Sequence, residues 1–149
     1  ASDAYYQEVM HWAQRYRTLP SGQITGPLDP SQAAKRNIST AGLKMPALLE
    51  LRNANSWGLH LISGYRGDAL PEHPSGLAMD LSNGYLTPEM AAYAESLRQR
   101  GAQGAPIHGV IYNNRSTGYG GDWTWRNYGG GFTGNATQDH KDHVHVWLK

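Results

Sequence analysis

Two short stretches hold most of the chain's reactive side chains. The first, EHPSGLAMDLS, places His73 and Asp80 seven residues apart, with Gly76 between them where the chain can turn tightly. The second, QDHKDHVHVWLK, crowds Asp139, His140, Asp142, His143 and His145 into seven residues. In an extended segment successive side chains point to opposite faces. His143, His145 and Trp147 therefore share one face of the second stretch, and Val144, Val146 and Leu148 the other. By the same rule Asp80 lies with Ala78 and Ser82, opposite Leu77, Met79 and Leu81. An ionised carboxylate on a partly buried strand needs a partner, because leaving it unpaired costs several kcal/mol. A cation meets that need. His73, Asp80 and one histidine of the His143/His145 pair would form a two-histidine, one-carboxylate site with an open fourth position, the arrangement of a catalytic zinc rather than a closed structural one.

Composition narrows the alternatives. With no cysteine in the chain, disulfides, thiol nucleophiles and thiolate-bound metals are excluded, and histidine and carboxylate are the remaining metal ligands. A formal net charge of +1, with no cluster of Lys/Arg interleaved with aromatics, argues against a nucleic-acid partner. No apolar run approaches the roughly 20 residues that span a bilayer. The N-terminal ASDAYYQEVM lacks the basic and apolar regions of an export signal, so a soluble chain is expected, with any such signal already removed. The length of 149 residues suits one domain, 1–149.

The elements that must position these residues read as follows. Tyr6, Val9, Met10, Ala13 and Tyr16 recur at helical spacing between Asp3 and Leu19, and residues 20–39 read as a covering loop. Met45 to Trp57 forms a second helix, with proline in its first turn and Gly58 at the left-handed end position. A third runs from Thr87 to Arg100, with Thr87 as cap, Pro88 next and Gly101 as stop. Four runs rich in β-formers, at 59–63, 77–82, 108–113 and 143–148, supply strands. The expected fold is α+β, with a small, mostly antiparallel sheet flanked by helices. A long Gly/aromatic stretch, 118–134, reads as neither helix nor ordinary hairpin. Its Trp123, Trp125, Tyr128 and Phe132 could form a cleft wall or simply a self-packed loop.

Taken in order, SGYR, then HPSGLAMD as H-x-x-G-x-A-x-D, then a helix, then DHVH resembles the zinc D-Ala-D-Ala carboxypeptidase and dipeptidase family. That family includes phage endolysin peptidases and belongs with lysostaphin and hedgehog proteins. The resemblance spans Ser63 to His145, and the N-terminal third contributes nothing to it. It implies that His73, Asp80 and His145 bind Zn2+, the second histidine of the HxH being the ligand. Asp142 falls at the family's general base, and Arg66 at its arginine that holds the scissile carbonyl. His143 would line the site as a secondary hydrogen-bond donor.

The implied activity is zinc-dependent hydrolysis of peptidoglycan peptide bonds by a monomeric protein, secreted, cell-wall associated or phage-borne. The rival is a zinc-containing module that binds wall or protein ligands without catalysis. The family commonly places a serine, which helps recognise a terminal carboxylate, two residues before the first ligand. Here that residue is Pro71, which tilts the implication from carboxypeptidase toward endopeptidase. Strict alternation would turn Asp142 away from His143 and His145, so strand pairing must begin after it, or a bulge must re-aim it. His11, His60, His108 and His140 are read as ordinary structural or surface residues.

Overall fold

The computed structural model describes residues 37–129, 134–135 and 137–149. The expected helix from Asp3 to Leu19, nearly all of the 20–39 loop, and Phe132 lie outside the described residues. Within them the order is α1 (Met45–Ser56), β1 (His60–Ser63), β2 (Ala78–Ser82), α2 (Pro88–Ala102), β3 (Ile107–Tyr112), β4 (Arg115–Thr117), β5 (Arg126–Asn127) and β6 (Val144–Leu148). Single 3-10 turns occupy His73–Ser75 and Tyr119–Gly121. The strands form one sheet in the order β1-β2-β6-β3-β4-β5. Every pairing in it is antiparallel. The fold is α+β, as the mixture of helical and strand-forming segments implies.

The sheet's two faces have different jobs. Leu61, Met79, Leu81, Val110, Val144, Val146 and Leu148 pack on one side against Ala47, Leu51 and Ala54 of α1 and Met90, Tyr93, Ala94 and Leu97 of α2. Full burial of such side chains is worth about 1.5–3 kcal/mol each, so this layer contributes strongly to stability. Glu50 ties the two helices within that layer: its carboxylate accepts from Tyr93 Oη at 2.7 Å and Arg100 Nη2 at 2.7 Å. The opposite face carries Asp80 and His145.

Capping follows the sequence at one end of α2 and departs from it at the other. Thr87 Oγ1 accepts the Met90 N–H at 3.2 Å, as a cap should. The helix does not stop at Gly101 but runs on to Ala102, and Gly104, at φ 99, follows its end. Gly101 serves close packing instead: a Cβ there would lie 2.1 Å from the Trp123 ring. The indole of Trp125 donates to Glu95 Oε1 of the same helix at 2.9 Å, and Arg98 donates to the Trp123 carbonyl at 3.1 Å. Both tryptophans are thereby partly buried against the core, which is the self-packed alternative for this part of the Gly/aromatic stretch.

Just before that stretch β3 and β4 form a tight hairpin, and β5, inside the stretch, pairs with β4. Asn113 and Asn114 both take positive φ, 50° and 57°, the geometry of a type I′ turn that matches strand twist. Asn-Asn announces such a turn less clearly than Asn-Gly, and β4 is only three residues long. The two turn amides donate to the His140 and Asp139 carbonyls at 2.7 and 2.8 Å. The loop entering β6 therefore hangs from this hairpin.

Candidate metal centre

Sheet register brings the principal residues together. In the β2–β6 ladder Asp80 stands opposite His145, and His145 is in turn opposite Ile111 of β3. On the other side Ser63 faces Asp80, after a bulge in β1. One row across the sheet thus reads Ser63, Asp80, His145, Ile111. His73 arrives from outside the sheet, on the 3-10 turn that precedes β2. Gly76 lets that turn close: it adopts φ 74, and a Cβ there would stand 2.5 Å from the Gly42 carbonyl oxygen. His73, Asp80 and His145 are all buried.

Hydrogen bonds aim each of the three groups. His73 Nδ1 lies 2.7 Å from the Gly64 carbonyl oxygen; a carbonyl only accepts, so Nδ1 carries the proton and Nε2 keeps its lone pair. That Nε2 is buried with no hydrogen-bond partner among the described residues, and faces Asp80 Oδ1 at 3.6 Å. His145 is held between two carboxylates, Nδ1 at 2.9 Å from Asp80 Oδ1 and Nε2 at 2.8 Å from Glu72 Oε1. Burial alone would lower the His145 pKa, but the hydrogen bonds to Asp80 and Glu72 outweigh it and raise it to about 9. Asp80 is held well below the usual carboxylate range: burial opposes ionisation, and the hydrogen bond from His145 together with the neighbouring imidazoles overcomes it.

These three residues offer ligand atoms that all lie within 4.8 Å of one another, and the cluster could hold a metal ion. The chemistry of the donors fits that use. His73 presents a buried lone pair with nothing among the described residues to receive it, Asp80 is ionised, and His145 Nδ1 meets the same Asp80 carboxylate, so the three could serve as donors to a cation.

The centre forms the floor of a cleft of about 300 Å³, whose lining includes Arg66, Glu72, Tyr128, Thr137, His140 and His143. Arg66 stands at the rim with its guanidinium tied to Asp68 at 2.5 Å, Ser63 Oγ at 2.5 Å and Asp80 Oδ2 at 3.3 Å. His143 points Nε2 toward Asp80 Oδ1 at 3.8 Å. Its Nδ1 meets Asp142 Oδ1 at 2.7 Å, and the second Asp142 oxygen accepts from Thr137 Oγ1 at 2.7 Å. These bonds outweigh the opposing effect of burial and keep the Asp142 pKa below its ordinary value.

The question of Asp142's aim is answered by where β6 begins. Regular pairing starts at Val144, so Asp142 and His143 precede the ladder and need not alternate. Ser82 Oγ anchors the Asp142 carbonyl at 2.5 Å, and the side chain turns along the chain to His143 rather than directly to the centre.

Two contributors were not visible in the sequence. Glu72, on the turn before His73, follows no strand or helix period that would reveal its aim. His140 lines the cleft although its place in a loop suggested an ordinary surface role: its ring lies 4.7 Å from that of His143 and 5.3 Å, edge on, from Tyr128. By contrast His108 stacks on Trp147 at 4.3 Å, away from the cleft lining. No family model, curated protein or solved structure matches the chain.

Proposed function

We propose that this protein is a zinc-dependent peptidase that hydrolyses bacterial cell-wall peptide bonds, acting as a secreted or phage-borne monomer. The observation that carries the reading is the convergence of His73 Nε2, Asp80 Oδ1 and His145 Nδ1 on the floor of an open cleft, with ionisable groups poised above it. The ordered motifs SGYR, HxxGxAxD and DHVH, with their likeness to the zinc D-Ala-D-Ala peptidases, supply the substrate class. Pro71 favours an endopeptidase over a carboxypeptidase.

Two imidazoles and a carboxylate suit zinc among the available divalent ions. When bound, zinc polarises a carbonyl and lowers the pKa of a coordinated water toward about 7. The chain's own residues then do the proton work. Ionised Asp142 accepts a hydrogen bond from His143 Nδ1–H, the tautomer that leaves the Nε2 lone pair facing the centre. His143 is thus placed to take a proton from the attacking water and return it to the leaving amine, while Asp142 orients it and stabilises its charged form. The general-base assignment of Asp142 becomes an action through His143. Arg66, fixed by Asp68 and Ser63, is placed to hold the scissile carbonyl as negative charge develops, a contribution of a few kcal/mol for a single donor.

The test is metal content together with digestion of purified muropeptides, read by mass spectrometry, for wild type and Asp142→Ala. One zinc per chain, product release by wild type and loss of it in the variant are expected. Zinc retained with no product from either protein would replace this reading with that of a non-catalytic binding module, and absence of zinc would overturn both.

A further inference from the structure

We infer that Glu72 and Tyr119 form a positioning relay for His145, turning its Nδ1 toward the metal centre by holding the opposite nitrogen. The inference rests on the metal-binding part of the proposed function but concerns residues that the ordered motifs do not include. One oxygen, Glu72 Oε1, accepts two hydrogen bonds, from His145 Nε2 at 2.8 Å and from Tyr119 Oη at 2.9 Å. The carboxylate is therefore clamped between the ligand and a phenol 47 residues away in sequence.

The phenol is itself fixed. Tyr119 begins a 3-10 turn after β4, and its ring rests on the backbone of β3 at Gly109, where a Cβ would lie 2.4 Å from the ring. Only a residue without a side chain allows that approach. On its other side the ring neighbours Trp147 of β6, with centroids 6.4 Å apart. The relay thus runs from the bulged start of β3, through Tyr119 and Glu72, to the ligand on β6. Burial and the neighbouring Glu72 charge push the Tyr119 phenol above its ordinary pKa, so it remains a donor across the working pH range.

A free imidazole can rotate and exchange its proton between nitrogens. An ionised acceptor on Nε2 fixes both orientation and tautomer, and makes Nδ1 the stronger donor to a cation. Carboxylate–histidine pairs of this kind typically change metal affinity by about 10- to 100-fold when broken.

The test compares zinc affinity, by competition with a chromophoric chelator, in wild type, Glu72→Ala, Glu72→Gln and Tyr119→Phe. Metal-free melting temperature and the 15N imidazole spectrum of His145 are recorded alongside. Glu72→Ala should lose about 10- to 100-fold in affinity. Glu72→Gln, which keeps an acceptor oxygen but drops the charge, should lose less, and Tyr119→Phe only a few-fold, with the Nε2 proton signal broadened or shifted in the order of those losses. Wild-type affinity in all three variants overturns the relay and leaves the peptidase proposal standing. Losses that merely track a falling metal-free melting temperature also overturn it, by reducing the pair to a fold contact; Tyr119→Phe, which removes one hydroxyl, guards that comparison should Glu72→Ala fold poorly. A wild type that takes no zinc overturns the proposed function and the relay with it.

Discussion

His140 shows how the surroundings of one residue set its chemistry. It sits at φ 54, a left-handed conformation that is costly for most side chains, and its amide and carbonyl are bonded to Thr137 and Asn113. Burial, aided by the nearby His143 and His145, lowers its pKa to about 4, against a weaker opposing pull from Asp80. An unfolded imidazole takes up a proton near pH 6.5, so between pH 6.5 and 4 the unfolded chain binds more protons and stability falls as the pH drops. Thermal melts of the metal-free protein should show that acid-side loss, and His140→Asn, which tolerates left-handed backbone, should show a shallower one; equal slopes would refute the assignment. Asp142 and His143 make a second prediction at this scale. If they act as a unit, the Asp142→Ala/His143→Ala double variant should be no slower on muropeptides than the slower single variant, since linked catalytic groups are strongly non-additive. His73, Asp80 and the His143/His145 pair were readable as candidate ligands because residue type and spacing are local information, and the resemblance to the zinc peptidases singled out His145. Glu72 was not, because its partner on β6 is 73 residues away and nothing in the neighbouring sequence points to it.

Among the elements, α2 separates what local rules decide from what packing decides. Its start obeys capping chemistry, and Thr87→Ala should cost about 1 kcal/mol in chemical denaturation. Its end does not obey the sequence signal, because Gly101 was recruited to admit the Trp123 ring. In an exposed helix interior Gly→Ala is stabilising by up to about 1 kcal/mol. Here Gly101→Ala should instead destabilise by about 1–3 kcal/mol, as overpacking does, and a gain in stability would show that the tryptophan can retreat. The longer strands β1, β2, β3 and β6 were evident as runs rich in β-formers, whereas β4 and β5 were not. Two- and three-residue strands carry too little pattern to read, and they exist because the Asn113–Asn114 turn delivers them to the sheet edge.

For the whole molecule, the sheet is a partition: one face is committed to the core, and the other gathers Asp80, His145 and their neighbours. Among the described residues no helix is long and apolar enough to cross a membrane. Metal bound only by the folded state must stabilise it, by about 2.7 kcal/mol at a free concentration 100 times the Kd. At about 4 °C per kcal/mol for a domain near this size, zinc should raise the melting temperature by about 10 °C, and Asp80→Asn should abolish the shift. From sequence alone came the α+β class, the starts of α1 and α2, the core faces of β2 and β6, and a candidate ligand set of His73, Asp80 and one histidine of the His143/His145 pair, all of which depend on neighbours along the chain. Tertiary structure alone decided that Asp80 meets His145 across 65 residues, that Asp142 turns to His143, and that Glu72 reaches the far side of the ligand. Such contacts follow from strand order and register, and these are settled by the packing of distant segments that no local period records.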